Sequence, residues 1–200
     1  MFFNFDKCAD KLSDHLEWLE GLDPEPHLTP KNIRLLQDGG FYIHGRDKLL
    51  RPAFVMDGGV IERLHKEDPD LCSADVFCSL FIFFYNYMKK VMLMPGHIEQ
   101  WIVIMDLNNL SINNLPRKQI LAFGKICQDN VMYILYRSYY LHVGWGQRLF
   151  YKAVSAFIDP ETKLKLILTG EGTHPDIKKL FHPSQLEERF GGTAKTPQRG

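Results

Sequence analysis

The run "WIVIMDL", Trp101 to Leu107, limits the fold more than any other stretch of the chain. It is almost wholly apolar and β-branched at its centre, so as a strand it offers no face to water and must be covered on both sides. The order of the other elements fits that need. Helices come first, then strands alternate with helices, which indicates an α/β layer with a largely parallel or mixed sheet.

Phe5, Cys8, Ala9, Leu12, Leu16 and Leu19 recur at three- and four-residue steps and predict a helix with one apolar face. "GLDPEPHLTP" breaks it. Thr29 and Pro30 then open a second helix, over Pro30 to Asp38, which Gly39 and Gly40 end. "FYIHGRDKLLRPAFVM" reads as two strand segments about a turn at Gly45 to Lys48. Ser73 stands as the cap of a long helix running to about Met94, and Pro116 to about Tyr133 has helical spacing through Ile120, Phe123, Cys127 and Val131. "SYYLHV", Ser138 to Val143, is a strand. Trp145, Leu149, Ala153, Ala156 and Phe157 lay an apolar stripe on another helix, and "LKLIL" is strand-like again. Short helices follow near Pro175 to Phe181 and from Ser184, before a tail after Thr193 whose composition reads as disordered.

Composition removes several classes of function. With 200 residues, 45% of them hydrophobic, the chain is long enough for one domain with a real core. The 24 basic and 24 acidic residues cancel, so no global field attracts nucleic acid. Cys8, Cys72, Cys78 and Cys127 form no CxxC pair and no secretory apolar segment opens the chain, which together imply a reducing, cytoplasmic setting. The longest apolar run, Val76 to Met88, is interrupted by Ser79 and Asn86 and is too short to span a bilayer. "GFYIHGRD" has the glycines of a phosphate loop but Arg46 and Asp47 where Lys and Ser or Thr are required. No GxSxG or HExxH occurs and the eight histidines are scattered, so neither an enzyme nor a metal or cofactor site is expected. Asp106, at the end of the apolar strand, stands where α/β proteins hold ligands; a cap for the turn "NNLS" is its other reading.

Taken in order, "HGRDKLLRP", "WIVIMDLNNLS", "FIDPETKLKLIL" and "LEERFGGT" resemble the CRAL-TRIO lipid-binding family, the class that includes phosphatidylinositol transfer proteins and the α-tocopherol transfer protein. "FDK" and "HLEW" in the first helix extend the likeness over Phe5 to Thr193. The resemblance implies a CRAL-TRIO-like mixed sheet whose helices form an apolar lipid pocket. It also implies a short helical N-terminal segment at 1–40, the lipid-binding domain at 41–193 and a disordered tail at 194–200. The N-terminal part is either reduced relative to the family or the chain is a piece of something longer.

A single phospholipid or other hydrophobic ligand is the implied partner, held under a mobile helix and presented or transferred between membranes. That helix would run from Gly146 to Phe157, with Arg148 and Lys152 on its outer side for transient contact with a membrane surface; an ordinary amphipathic core helix is the alternative. Wall residues expected for the pocket are Phe77, Phe81, Phe84 and Met88 on the long helix, Ile102, Ile104 and Leu141 on strands, and Leu149, Ala153 and Phe157 on the lid. A dry core is the other reading for such stripes. In phosphatidylinositol-binding members a Thr and a Lys after the Asp-Pro corner hold the headgroup phosphate, and Thr162 and Lys165 occupy those positions. Three positions depart from the family. Tyr133 replaces the acid that bonds inositol, "HVG" at His142 to Gly144 replaces "NAP", and Glu187 replaces the proline of the terminal motif. The resemblance with these departures implies phosphate contact without inositol recognition. A protein-interaction scaffold holding no lipid is the alternative function.

Overall fold

The run Trp101–Asp106 is the middle strand of a five-stranded sheet, and all but one of its residues are buried, as its composition demands. In the computed structural model, which describes residues 5–21, 27–111, 117–131 and 133–197 apart from the side chains of 7, 117–120, 122, 123 and 157, the strands lie in chain order. They are β1 (Phe41–Arg46), β2 (Pro52–Asp57), β3 (Trp101–Asp106), β4 (Leu135–Leu141) and β5 (Leu166–Leu168). β1 and β2 are antiparallel and every later pair is parallel. Parallel neighbours require crossovers, and helices supply them. These are α3 (Gly58–Glu67) and α4 (Ala74–Tyr87) before β3, α5 (Arg117–Asn130) before β4, and α6 (Trp145–Val154) with α7 (Pro160–Lys163) before β5. Two helices, α1 (Phe5–Glu20) and α2 (Pro30–Gln37), precede the sheet, and α8 (Pro175–Leu180) follows it.

Local chemistry sets the boundaries. Asn32 N donates to Thr29 Oγ1 at 3.2 Å and Thr29 N donates to Asn32 Oδ1 at 3.0 Å, a reciprocal cap that starts α2 where Thr29 and Pro30 place it. The β1–β2 connection is held by Asp47, whose carboxylate accepts from the backbone of Leu49 and Arg51 and from the Arg51 side chain. The Arg51 guanidinium in turn lies 3.3 Å above the Tyr136 ring. The helix α3 was not expected from the sequence, because "GG" opens it. Asp57 caps it through Val60 N at 3.1 Å, and Gly58 is required since a Cβ there would sit 2.7 Å from the Asp106 carbonyl. Ser73 makes no side-chain cap bond, and the helix expected to reach Met94 is α-helical only to Tyr87, continuing as a π turn over Met88–Met92.

Two cores result, one on each face of the sheet. The inner one joins α2, α3 and α4 to Phe41, Phe54, Trp101 and Val103, with T-shaped ring pairs Phe54–Phe84 and Phe81–Trp101. The outer one joins Ala53, Val55, Ile102, Ile104, Tyr139 and Leu141 to Ile177, Phe181, Leu186 and Phe190 of the C-terminal segment. Of the apolar face expected for α1, Phe5, Cys8, Leu12 and Leu16 are exposed and Leu19 packs on the core, with Trp18 beside it. The tail expected from 194 is tied down at its first residue, where Ala194 N donates to Leu186 O at 2.9 Å and Ala194 O accepts from Glu188 N.

Candidate functional site

Register across the sheet aligns Met56 with Met105, Met105 with Tyr140 and Tyr140 with Leu168. These four form one transverse row on the inner face, since alternation puts them on the side of Phe54, Val103 and Leu166. All four keep accessible surface, whereas in the neighbouring row Phe54, Val103 and Ser138 are buried. The row is nevertheless deep. Burial pushes the Tyr140 phenol up to about 12 and raises the Cys127 thiol of α5, which bears on Tyr140 together with Tyr151 of α6. Tyr140 is thus desolvated while it still keeps accessible surface.

The helix α6 approaches this row through Tyr151, which bears on Tyr140, and none of its residues is fully buried. Phe150, Tyr151 and Val154 are half-buried, while Trp145, Leu149 and Ala153 are exposed beside Arg148 and Lys152. The stripe expected to face lipid is therefore turned to solvent, with Trp145 81% exposed. Gln147 Nε2 donates to Leu110 O at 2.8 Å and fixes the start of the helix.

Beyond α6 the chain turns at Asp159, which accepts from Glu161 N at 2.9 Å and whose own N donates to Gln128 Oε1 of α5 at 3.1 Å. Thr162 is buried and Lys165 half-buried, and their backbones meet through Lys165 N to Thr162 O at 2.9 Å. Ser138 N donates to Lys165 O, so this corner abuts β4 one row below the accessible one. Burial lowers the Lys165 ammonium from its ordinary value, and Glu161 pulls the other way.

The expected wall residues divide into separate places. Phe77, Phe81, Phe84 and Met88 lie on the inner face but are packed against other rings or buried within that core. Ile102, Ile104 and Leu141 must be corrected: they point to the outer face, are at most 1% exposed, and pack on the C-terminal segment. Leu149 and Ala153 lie outside on α6, and the Phe157 side chain falls outside the described residues. Met56, Met105, Tyr140 and Leu168, the accessible row, were not among the residues expected. The alternation in "WIVIMD" already separates Met105 from Ile104, but nothing in the run says which parity faces the helices.

At the carboxyl ends of the strands, where α/β proteins commonly place ligands, the protein supplies its own cation. Arg189 donates through Nη1 to Asp57 Oδ2 at 2.9 Å and Asp106 Oδ2 at 3.1 Å, and through Nε to Glu187 Oε2 at 3.0 Å. It also bonds the Tyr42 hydroxyl, which donates to Glu187 Oε1 at 2.8 Å. Asp106 caps its turn through Asn108 N and meets His142 Nδ1 at 2.9 Å. Tyr133 is likewise engaged: its hydroxyl lies 3.3 Å from Tyr85 Oη and 3.0 Å from His15 Nε2, which docks α1. Among the described residues no group of three or more His, Cys, Asp or Glu is placed to hold a metal ion, and no helix is long and apolar enough to cross a membrane. Two open grooves mark the surface, one of about 450 Å³ beside α3 and one of about 320 Å³ between β1 and α4; neither is lined by Thr162 or Lys165.

Comparison with known proteins places these features. The family model for the CRAL/TRIO domain matches residues 36–192. The phosphatidylinositol/phosphatidylcholine transfer protein SFH4 of Arabidopsis thaliana is 27% identical over 170 residues, covering 78% of this chain and 27% of that protein. SFH12, a phosphatidylinositol/phosphatidylcholine transfer protein of the same plant, is 24% identical over 209 residues, covering 99% of this chain and 38% of its own length. The chain thus spans between a quarter and two fifths of these curated relatives. The crystal structure of Sfh5 superposes with a TM-score of 0.73 at 16% identity over 98% of this chain and 68% of that one, a likeness of fold.

Proposed function

Because this chain belongs to the CRAL/TRIO domain family, we propose that it binds a single lipid over the row Met56–Met105–Tyr140–Leu168 and beneath α6, and presents or transfers it between membranes. The observation that carries this reading is the row itself, four inner-face side chains in register that are each only partly buried. A lipid leaving a bilayer forfeits about 0.8 kcal/mol per methylene, so the receiving surface must be comparably apolar, and three of the four residues are. The relatives named as phosphatidylinositol/phosphatidylcholine transfer proteins support a phospholipid as the ligand.

In this reading α6 is the mobile cover. A helix with no buried residue gives up little when it moves. Its outward Trp145 and Leu149 with Arg148 and Lys152 suit the interface of a membrane, where an amphipathic helix lies with apolar groups down and cations at the headgroups. Thr162 and Lys165 hold the headgroup phosphate, an anion there offsetting the desolvation that lowers the ammonium. Tyr133, already bonded to His15 and Tyr85, leaves inositol without the family's acid.

Extraction of lipid from the purified protein followed by mass spectrometry tests the proposal, with a one-to-one phospholipid as the expected result. Lys165→Ala should weaken capture of anionic phospholipid about tenfold and leave a neutral sterol unaffected; equal loss of both would remove the phosphate contact. The engaged Tyr133 and the packed Phe81 and Phe84 favour a second reading, a scaffold for protein interaction. Native mass spectra of an empty chain that stays empty after exposure to vesicles would establish that one instead.

A further inference from the structure

Strands β2 to β5 run parallel, so the segments that lead into them gather at one end of the sheet, away from Arg189. Two of those segments carry large apolar side chains in water. Leu49 and Leu50, in the turn before β2, and Val91 and Met94, on the way into β3, are each more than half exposed. Arg46 makes them one surface, because its Nη1 donates to Leu50 O at 2.6 Å and to Met92 O at 3.1 Å.

Both tips are braced. Asp47 holds the first through Leu49 N, Arg51 N and the Arg51 guanidinium, and in the second Met94 and Ile98 exchange backbone bonds of 2.7 Å around Gly96. Leu50 stands at φ 64°, a left-handed conformation that Gly or Asn adopts at less cost. Neither the backbone nor water favours a leucine at that position, whereas an apolar phase outside the protein does. The charge around the tips is one-sided. Lys48, Lys89 and Lys90 are exposed beside them, and against these the two segments set Glu99, the Asp47 carboxylate being taken by Arg51. In a chain whose 24 basic and 24 acidic residues cancel, this is a local excess.

Protruding apolar tips ringed by ammonium groups fit a soft, negative surface. We propose that this end of the sheet docks on an anionic bilayer, with Leu49, Leu50, Val91 and Met94 at the acyl boundary and Lys48, Lys89 and Lys90 at the headgroups. The contact is additional to the one described for α6, whose Trp145 follows the opposite, carboxyl end of β4, and it needs no lipid inside the fold.

Sedimentation with vesicles tests it, using phosphatidylcholine alone and an equal mixture of phosphatidylcholine and phosphatidylserine. Wild type should bind the mixture at least about tenfold more tightly, and the preference should fall with added salt. Leu49→Ser combined with Leu50→Gly should weaken binding to the mixture about tenfold. It should not lower the unfolding temperature, since both side chains are exposed and Gly suits the φ of Leu50. Lys48→Ala and Lys90→Ala should each cost about fivefold on the mixture, and the losses should persist in a Trp145→Ala background. Tip and lysine variants that bind as wild type does overturn the proposal. So does a wild type that ignores both vesicles, including one that pairs with a second copy through these tips in sedimentation velocity. Lipid held by the re-isolated protein is measured in the same samples. Uptake without docking overturns this contact and leaves the lipid reading standing, and docking without uptake does the reverse.

Discussion

The two faces of the sheet are built from the same strands and have opposite characters. On the outer face Val55, Ile102, Ile104, Tyr139 and Leu141 are closed over by Ile177, Phe181, Leu186 and Phe190, and the end of the sheet is tied off by Arg189 between Asp57 and Asp106. On the inner face the row from Met56 to Leu168 keeps accessible surface beside a helix with no fully buried residue. Both faces carry a core, but the outer one is closed across β2, β3 and β4 while one row of the inner one is left partly open, where the proposed ligand sits. Alternation along a strand makes this possible, because neighbours in sequence belong to different faces.

The contrast can be broken most forcefully at the clasp. Arg189→Ala leaves Asp57, Asp106 and Glu187 with buried charge and no guanidinium, and should lower stability by about 3–5 kcal/mol in urea unfolding. Enlarging a side chain on each face sharpens the comparison. Ile104→Phe, at 1% exposure, should cost about 1–3 kcal/mol, whereas Met105→Phe, one residue on, should cost less than about 1.5 kcal/mol and show its effect as reduced lipid uptake. Equal destabilisation by the two would mean that the inner row is as closed as the outer one.

The smallest effect is expected on the rim, where Asp38 receives Arg34 and Arg63. Burial alone would raise its carboxyl, but the two guanidiniums hold it below its ordinary value of 3.8. Its contribution is therefore present in full above 3.8 and fades as pH falls through the lower folded value. Asp38→Asn should cost at most about 1 kcal/mol at neutral pH, and the difference from wild type should vanish in acid unfolding titrations.

Much of the fold was legible because single elements carried unambiguous patterns. "WIVIMD" could be nothing but a covered strand, and Thr29-Pro30 marked a helix start that the reciprocal cap confirms. The likeness to the CRAL-TRIO family reached the fold as well. The facing of individual side chains was read less well, for two physical reasons. Hydrophobicity reports burial and not which face is buried, so Ile102 and Ile104 looked equivalent to Met105. A stripe on a cover helix reads alike whether it faces protein or solvent, so Leu149 and Ala153 were placed inside when they lie outside. The irregularity between Trp101 and Ile102 opposite β4 shifts the register by a residue and could not be read from either strand alone.

The clasp also bears on how the chain acquires its structure. "RFGG" closes it because Gly192 packs so tightly on Leu186 that a Cβ there would overlap the Leu186 backbone. The groups Arg189 joins, Tyr42, Asp57 and Asp106, are all made far earlier during synthesis. Until Ile177 to Phe190 leave the ribosome, the outer surface of β2, β3 and β4 has no cover, and the two aspartates at its end have no guanidinium. A nascent chain stalled before residue 177 presents a bare apolar sheet surface, and the segment from Ile177 to Phe190 is the one that ends that exposure.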